Sequence, residues 1–230
     1  MNTLTAFKNR IQAGQQLARQ LSAYIRHPDA IVLALPRGGV PVGFAMTQSL
    51  QIPLDVLLVR KLGMPGHQEY AIGAVAGGGI CLLNDEVVAS YGISKPVIDA
   101  MIQQESQEIV RRETLYRANR PPLQLKNRIV ILVDDGIATG SSMLAAIQAV
   151  RHAQPSRIIV AVPVAPADVC RILESEVDQV ICLRTPQPFY AVGLWYEDFH
   201  QITDDEATHL LDEAHREEAQ RKQDRDTGNK

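Results

Sequence analysis

The sequence predicts an α/β fold in which a mostly parallel, twisted sheet is flanked by helices. Short runs of apolar residues without polar alternation recur along the chain, and such runs are typical of strands buried on both faces of a parallel sheet. Segments with apolar residues at helical spacing separate these runs, as crossover connections require. The chain has 230 residues, of which 46% are hydrophobic. This length supports a sizeable core in one domain.

The elements follow from local patterns of apolar residues, turn residues and charge. In chain order they are a helix at about 5–26, strands at 30–35 and 54–59, a hairpin at 71–83, a helix at about 96–118, a strand at 129–133, a helix after Ser141, and strands at 158–162 and 179–183 with a helix at 165–173 between them. We expect one domain over residues 1–212, with a small hood at about 185–200. Residues 213–230 lose almost all apolar character, which predicts a charged, frayed or disordered tail.

Composition and charge exclude several classes of function. The net charge of −3 and the absence of a basic stripe give no reason to expect nucleic acid as a partner. Cys81, Cys170 and Cys182 lack the paired spacing of a disulfide framework or a zinc site, and the six histidines form no i,i+4 pair. Neither a signal region nor an apolar run of membrane-spanning length is present, so we expect a cytoplasmic protein without a membrane partner.

The most informative segment joins the strand Ile129–Val133 to a pair of acids and a glycine-bracketed loop. Ligands of parallel sheets bind at the carboxyl ends of the strands, where these acids lie. The glycines allow close backbone approach, and the first N–H groups of the following helix favour a phosphate. The candidate residues are Asp134, Asp135, Gly136, Ile137, Ala138, Thr139, Gly140, Ser141 and Ser142. The alternative interpretation is an ordinary strand, loop and helix with a solvated acidic turn.

This pattern resembles the phosphoribosyl pyrophosphate (PRPP) signature of the type I phosphoribosyltransferases. The resemblance covers roughly Phe7 to Leu211. It implies that Asp134 and Asp135 hold the ribose hydroxyls, and that the loop from Ile137 to Ser141 takes the 5′-phosphate through backbone amides and the hydroxyls of Thr139 and Ser141. It also implies the phosphoribosyltransferase fold, with PRPP and a small-molecule base as substrates and a role in nucleotide metabolism.

A second loop follows the strand at 30–35 and contains Arg37, Gly38 and Gly39. Paired glycines let backbone amides turn inward, and a guanidinium beside them can bind two oxygens of a pyrophosphate. Taken alone, the glycines are better explained by a plain tight turn, but the position of the loop about a hundred residues before the two acids favours a pyrophosphate site. The loop resembles the family's pyrophosphate loop, which is held in a cis peptide, and Arg37–Gly38 or its neighbour is the candidate bond.

Arg60 and Lys61 follow the strand at 54–59 and add positive charge suited to a ligand with several phosphates. The Gly- and Pro-containing stretch from Leu62 to Glu69 is typical of a mobile loop, and it corresponds to the family's catalytic loop. The alternative is a solvated basic strand end with a long hairpin loop. Glu69 is a candidate general base or an ordinary solvated residue.

The aromatic-rich segment at 185–199 resembles the base-binding stretch of the hypoxanthine-guanine branch. By that resemblance Phe189 or Tyr190 stacks on the base, Ala191 offers backbone contacts, and Glu197 or Asp198 holds a magnesium-bound water. For Trp195 and Phe199 the sequence favours ordinary core packing. Ala138 stands where that branch carries an acid, and its lysine has no clear counterpart between Val180 and Phe189, so the acceptor base stays open.

The resemblance implies a mechanism built on charge. Pyrophosphate leaves from an oxocarbenium-like ribose, which requires Mg²⁺ and cations rather than a protein nucleophile. Arg37, Arg60 and Lys61 serve the leaving group, and Asp134 and Asp135 lie at most in the outer shell of the metal. We expect a homodimer, with the helix at 96–118 packing on the sheet or across the dimer. Two rivals remain, a PRPP-binding regulator without transfer activity and a subunit that works by protein association.

Overall fold

The computed structural model describes residues 5–64, 67–118 and 120–228, but not the side chains of residues 67–71 and 225–228. The helices are α1 (Arg10–Gln20), α2 (Gly39–Leu50), α3 (Asp85–Ser90), α4 (Lys95–Arg117), α5 (Ser141–His152), α6 (Ala167–Glu174) and α7 (Asp204–Gly228). The strands are β1 (Ala30–Ala34), β2 (Leu54–Val56), β3 (Val59–Met64), β4 (His67–Ala76), β5 (Ile80–Leu83), β6 (Ile129–Val133), β7 (Arg157–Val164) and β8 (Gln179–Arg184). Short 3₁₀ helices occur at Ser22–Tyr24, Gly77–Gly79 and Val192–Trp195.

The main sheet is parallel throughout and has five strands in the order β2-β1-β6-β7-β8. This confirms the predicted α/β class. Alternate residues of β6 enter opposite cores: Ile131 and Val133 pack in the core that contains residues of α1, α2 and α7, whereas Val130 and Leu132 pack in the core that contains residues of α5 and α6. Since both faces are covered, the strands carry no polar alternation.

A second sheet of three antiparallel strands, in the order β3-β4-β5, follows β2 in the chain. The predicted hairpin at 71–83 forms its second half. The strand predicted at 54–59 is too long, because β2 ends at Val56 and a new strand begins at Val59. Arg60 and Lys61 therefore lie within β3 rather than after a strand of the parallel sheet.

The segment Leu62–Glu69 is not the loop that the sequence predicted. Residues 62–64 belong to β3 and residues 67–69 to β4, and backbone pairing joins Leu62 to Gly73 and Met64 to His67. Antiparallel pairing overrides the loop-like composition. Residues 65 and 66 and the side chain of Glu69 lie outside the described part of the structure, and so does any role of Glu69 as a base.

The C-terminal segment also differs from the prediction. Helix α7 runs on to Gly228 where a frayed or disordered tail was expected from residue 213. Ala207, Leu211 and Ala214 are buried on its inner face, and the helix packs against α2 and α4. The first helix is shorter than predicted, since Phe7 instead forms an isolated parallel bridge with Tyr196. Among the described residues, none of the helices has both the length and the apolar character required to cross a membrane.

Candidate functional site

The carboxyl ends of β1 and β6 bring the two predicted loops together. Val133 accepts a hydrogen bond from the amide of Leu35 at 2.9 Å, so the loop after β1 starts beside the acids after β6. The peptide bond between Pro36 and Arg37 is cis. The sequence analysis named Arg37–Gly38 or its neighbour as the candidate cis bond, and the cis bond is this neighbour. Helix α2 begins immediately after this loop, at Gly39.

Gly38 and Gly39 are required by close approach rather than by an unusual backbone conformation. A Cβ atom at Gly38 would lie 2.0 Å from Oδ2 of Asp135, and one at Gly39 would lie 2.7 Å from the carbonyl oxygen of Val133. Any side chain at either position would displace the acids or the end of β6. The glycine pair therefore allows the two loops to touch.

Asp134 and Asp135 have different surroundings although they are adjacent. Burial and the charge of Asp135 raise the pKa of the Asp134 carboxyl well above its usual range, and Asp134 Oδ1 accepts a hydrogen bond from the Asp135 amide at 2.8 Å. Burial also raises the pKa of Asp135, against the opposing charge and hydrogen bond of Arg10. Nε of Arg10 lies 2.8 Å from Oδ2 of Asp135.

The loop after the acids leads into α5 as the sequence predicted. Gly140 has φ +81, the left-handed conformation that favours glycine, and precedes the first helical residue Ser141. As the N-cap residue, Gly140 supplies no side-chain hydrogen bond to the first turn of the helix. The hydroxyls of Thr139 and Ser141 lie 3.2 Å apart. Hydroxyl groups and the amino end of a helix at one point suit a phosphate.

A cleft of about 100 Å³ lies between these elements. Its walls include Pro36 of the first loop, Asp134, Ser142 at the start of α5, and Arg60 of β3. Arg112 of α4 contributes a further cation, which the sequence did not single out because α4 carries many charges and no pattern distinguishes this one. Two arginines, an acid and a hydroxyl line this small polar cleft, and the arginines are paired with Glu105 and Glu108.

Two of the cations predicted for pyrophosphate, Arg37 and Arg60, are paired with acidic side chains. Nε of Arg60 lies 2.6 Å from Oε2 of Glu105, and Nη1 of Arg37 lies 3.8 Å from Oδ1 of Asp204. The Tyr116 hydroxyl also donates to Asp204, and burial first and then this contact raise the pKa of Tyr116 to about 12. Lys61 follows Arg60 along β3 and is half-buried.

The hood is built from both ends of the chain. The amide of Phe7 donates to the carbonyl of Trp195 and the amide of Glu197 donates to the carbonyl of Phe7, each at 2.8 Å. Val192 reaches the signature loop, since a Cβ at Gly136 would lie 2.5 Å from Cγ1 of Val192. The hood therefore rests directly on the loop that follows the acids.

The structure places the proposed base-binding residues outside the polar cleft. Phe189, Tyr190 and Ala191 do not line it, and Tyr190 is 77% exposed. Glu197 is exposed, and Asp198 Oδ1 lies 3.0 Å from Nδ1 of His200, whose presence lowers the pKa of Asp198 through hydrogen bonds. Among the described residues, no group of three or more His, Cys, Asp or Glu side chains is gathered around a point where a metal ion would fit.

Three residues around Asp135 were missed by the sequence analysis as parts of the site: Arg10, Tyr196 and Phe199. The Tyr196 hydroxyl donates to the main-chain oxygen of Asp135 at 2.5 Å, and its pKa is raised by burial. The ring of Phe199 stacks on that of Tyr196, with centroids 5.0 Å apart. The aromatic content of 185–199 was a visible signal for the tyrosine, but a single arginine near the chain start carries none.

Comparison with known proteins assigns the chain to a family. Residues 1–183 match the family model of the phosphoribosyl transferase domain. The chain is 44% identical over 214 residues to a Mycobacterium tuberculosis protein that is named as a phosphoribosyl transferase in strains H37Rv and CDC 1551. The matched region is 93% of this chain and 48% of that protein, so the chain spans about half the length of the curated relatives it matches.

A solved structure has a similar fold over most of this chain. The crystal structure of TT1426 from Thermus thermophilus has a TM-score of 0.82 and 38% sequence identity, and the match covers 91% of this chain and 99% of that one. The chain belongs to the phosphoribosyl transferase domain family. The predicted family resemblance is thereby confirmed.

Proposed function

We propose that this protein is an Mg²⁺-dependent phosphoribosyltransferase that transfers phosphoribose from PRPP to a nitrogenous base and releases pyrophosphate. The observation that carries the proposal is the polar cleft bounded by Pro36, Arg60, Asp134 and Ser142. It joins the loop after β1 to the signature after β6. Membership of the phosphoribosyl transferase domain family supports the reaction class.

The 5′-phosphate is proposed to bind at the start of α5. Residues 137–142 would surround it with backbone amides and with the hydroxyls of Thr139 and Ser141. The ribose hydroxyls would then donate to the carboxylates of Asp134 and Asp135, because charge-assisted hydrogen bonds to a carboxylate are stronger than neutral ones. In this arrangement the reacting carbon of the sugar would face the cleft.

The pyrophosphate is proposed to lie against the loop that contains Arg37, Gly38 and Gly39, with Arg60 and Lys61 beside it. Negative charge grows on the leaving group as its bond to the sugar breaks. Cations fixed at that point stabilise the transition state more than the ground state, which accelerates the chemical step. Arg37 and Arg60 would exchange their partners Asp204 and Glu105 for phosphate oxygens.

The residues present fit a bound Mg²⁺ that also holds oxygens of PRPP. Mg²⁺ prefers oxygen ligands and retains several waters, and Asp134 and Asp135 are oxygen donors for its outer shell. Burial and the charge of Asp135 raise the pKa of Asp134, and a cation bound nearby would oppose this rise by favouring the ionised form. When bound, the metal would neutralise charge on the pyrophosphate.

The acceptor is proposed to be a flat, purine-like base stacked on Phe189 or Tyr190, with Ala191 offering backbone contacts. The exposed ring of Tyr190 supports this, since it is accessible to a ligand. Ala138 in the signature loop implies that protonation of the base is not handled by an acid there. We further propose a cytoplasmic homodimer that acts in nucleotide metabolism, with residues 1–212 forming the functional domain and 185–200 its hood.

The decisive experiment is to incubate the protein with PRPP, Mg²⁺ and a panel of free purines, pyrimidines and related heterocycles, and to measure pyrophosphate release. Release with one base and not with the others supports transfer and identifies the acceptor. Tight PRPP binding in calorimetry with no release for any base would contradict transfer and favour a PRPP-binding regulator. Omission of Mg²⁺ should abolish release.

A further inference from the structure

Arg10 is a buried charge that the proposed reaction has not used. It is the first residue of α1, and its side chain is 7% exposed. Its Nε donates to Oδ2 of Asp135, whose side chain is also largely buried. The partners are 125 positions apart in the chain, so the contact depends on the tertiary fold and not on local structure.

Two further contacts join the guanidinium to the hood. Nη1 donates to the main-chain oxygen of His200 at 2.9 Å, and the guanidinium carbon lies 4.0 Å from the centroid of the Phe199 ring. A guanidinium has a fixed planar arrangement of donors. Because one donor of the Arg10 guanidinium binds His200 and one face of it packs on Phe199, the direction of the Nε–H group toward Asp135 is fixed.

The Asp135 carboxylate is confined from the other side by the loop after β1. Its Oδ2 lies 2.0 Å from the point that a Cβ of Gly38 would occupy, so the carboxylate rests on bare backbone. The Tyr196 hydroxyl fixes the main chain of the same residue through its carbonyl oxygen. The salt bridge engages Oδ2, and Oδ1 is a second acceptor on that carboxylate.

A buried ion pair is a weak source of stability, because desolvation of both charges offsets their attraction. Orientation is the consequence that the surrounding contacts do support. We propose that Arg10 is a positioning residue that holds the Asp135 carboxylate in the direction required to accept a ribose hydroxyl, without touching the substrate itself. This rests on the proposed function, which places a ribose 5-phosphate at the acids.

The test compares the affinities of ribose 5-phosphate, 2-deoxyribose 5-phosphate and inorganic phosphate by calorimetry. The ratio of the first two measures recognition of a hydroxyl, and inorganic phosphate reports on the phosphate loop alone. Variants are Arg10→Met, Arg10→Lys and, as a matched control on the exposed face of the same helix, Arg19→Met. Circular dichroism and thermal melting establish that each variant is folded.

We expect Arg10→Met to reduce the preference for ribose over deoxyribose by about tenfold or more, the scale of a charged hydrogen bond. Affinity for inorganic phosphate should stay the same, and Arg19→Met should match the wild type. Arg10→Lys should have an intermediate preference, because a single ammonium keeps the charge but lacks the planar fork. If Arg10→Met does not fold, the preference of Arg10→Lys for ribose over deoxyribose tests the positioning role instead.

An unchanged ribose preference in the folded Arg10 variants would overturn the positioning role and leave the proposed function standing. Equal loss of affinity for all ligands, inorganic phosphate included, would show general distortion and overturn it as well. A wild-type protein that binds ribose 5-phosphate no better than its deoxy analogue would contradict the sugar site itself, and both proposals would then fail together.

Discussion

The two sides of the proposed site differ in how deeply their ion pairs are buried. The sugar side contains Asp135, the pyrophosphate side contains Arg37 and Arg60, and each of these residues has a partner of opposite charge. The Arg10 and Asp135 side chains are 7% and 15% exposed. Those of Arg37 and Asp204 are 35% and 42% exposed. A buried pair is costly to break, whereas an exposed pair contributes little to stability and exchanges partners readily.

The difference suggests a division of labour between the two sides. The sugar side is organised before substrate arrives, because its acid is enclosed by the hood and by glycine backbone. The pyrophosphate side presents cations whose acidic partners a phosphate can replace. Substitutions on the first side should therefore affect folding and binding, and those on the second should affect turnover.

The largest effect is expected from Asp135→Ala, which tests the buried side. The unpaired guanidinium of Arg10 would destabilise the fold by about 3–5 kcal/mol. Affinity for ribose 5-phosphate should weaken by about 1–3 kcal/mol through the lost charged hydrogen bonds. Denaturant unfolding and calorimetry measure the two quantities. Wild-type affinity in a folded variant would refute the sugar assignment.

The next effect concerns the exposed side and Arg37→Gln. We expect turnover to fall by about a hundredfold, because one fixed charge on the leaving group is lost. Affinity for ribose 5-phosphate, which lacks pyrophosphate, should change little. Single-turnover kinetics and calorimetry separate the two. Equal losses in both would mean that Arg37 does not act on the leaving group.

A smaller effect is expected from Tyr190→Ala in the hood. If Tyr190 is the stacking platform, the KM for the base should rise by an amount equivalent to about 1–3 kcal/mol, with PRPP affinity nearly unchanged. Leu194→Ala is a suitable control, since Leu194 is another exposed apolar side chain of the hood. An unaffected KM would mean that the base stacks on Phe189 or binds outside this segment.

The smallest expected effect is a gain of stability in Asp134→Asn. The pKa of Asp134 is raised in the folded state, so its ionised form costs stability once the pH exceeds the unfolded value. The variant should be more stable by about 1 kcal/mol at pH 7, as active-site substitutions often are. This gain should shrink as the pH falls and the wild-type acid becomes protonated. A gain that does not depend on pH would exclude the carboxyl as its cause.

Sequence patterns predicted the parts of the site that depend on local structure. The apolar runs of β1, β6 and β7, the acids after Val133 and the glycines at 38, 39 and 140 each have a local physical signature. Strand pairing across sequence does not, and this is why 62–69 was expected to form a loop. The polar composition of α7 gave the same kind of error, because a few buried residues, among them Leu211 and Ala214, suffice to dock it.

Arg10 shows the limit of such reasoning most directly. Its contacts with Asp135 and with His200 span 125 and 190 positions in the chain, and no local pattern near residue 10 predicts these contacts. Gly38 was predicted as part of the site because Gly38 and Gly39 form a recognisable pair. Only the fold shows that Gly38 leaves room for the carboxylate that follows β6.

The pairing of Phe7 with residues 195–197 has a consequence for the order in which the molecule matures. During synthesis the acids after β6 emerge well before the last part of the hood, so for a time Asp135 has neither the fixed guanidinium nor the Tyr196 hydroxyl beside it. Closing a connection of this length is entropically slow compared with local contacts. The core sheet, whose last strand ends at Arg184, can therefore form on the ribosome before the contacts of Tyr196 and His200 enclose Asp135 and Arg10.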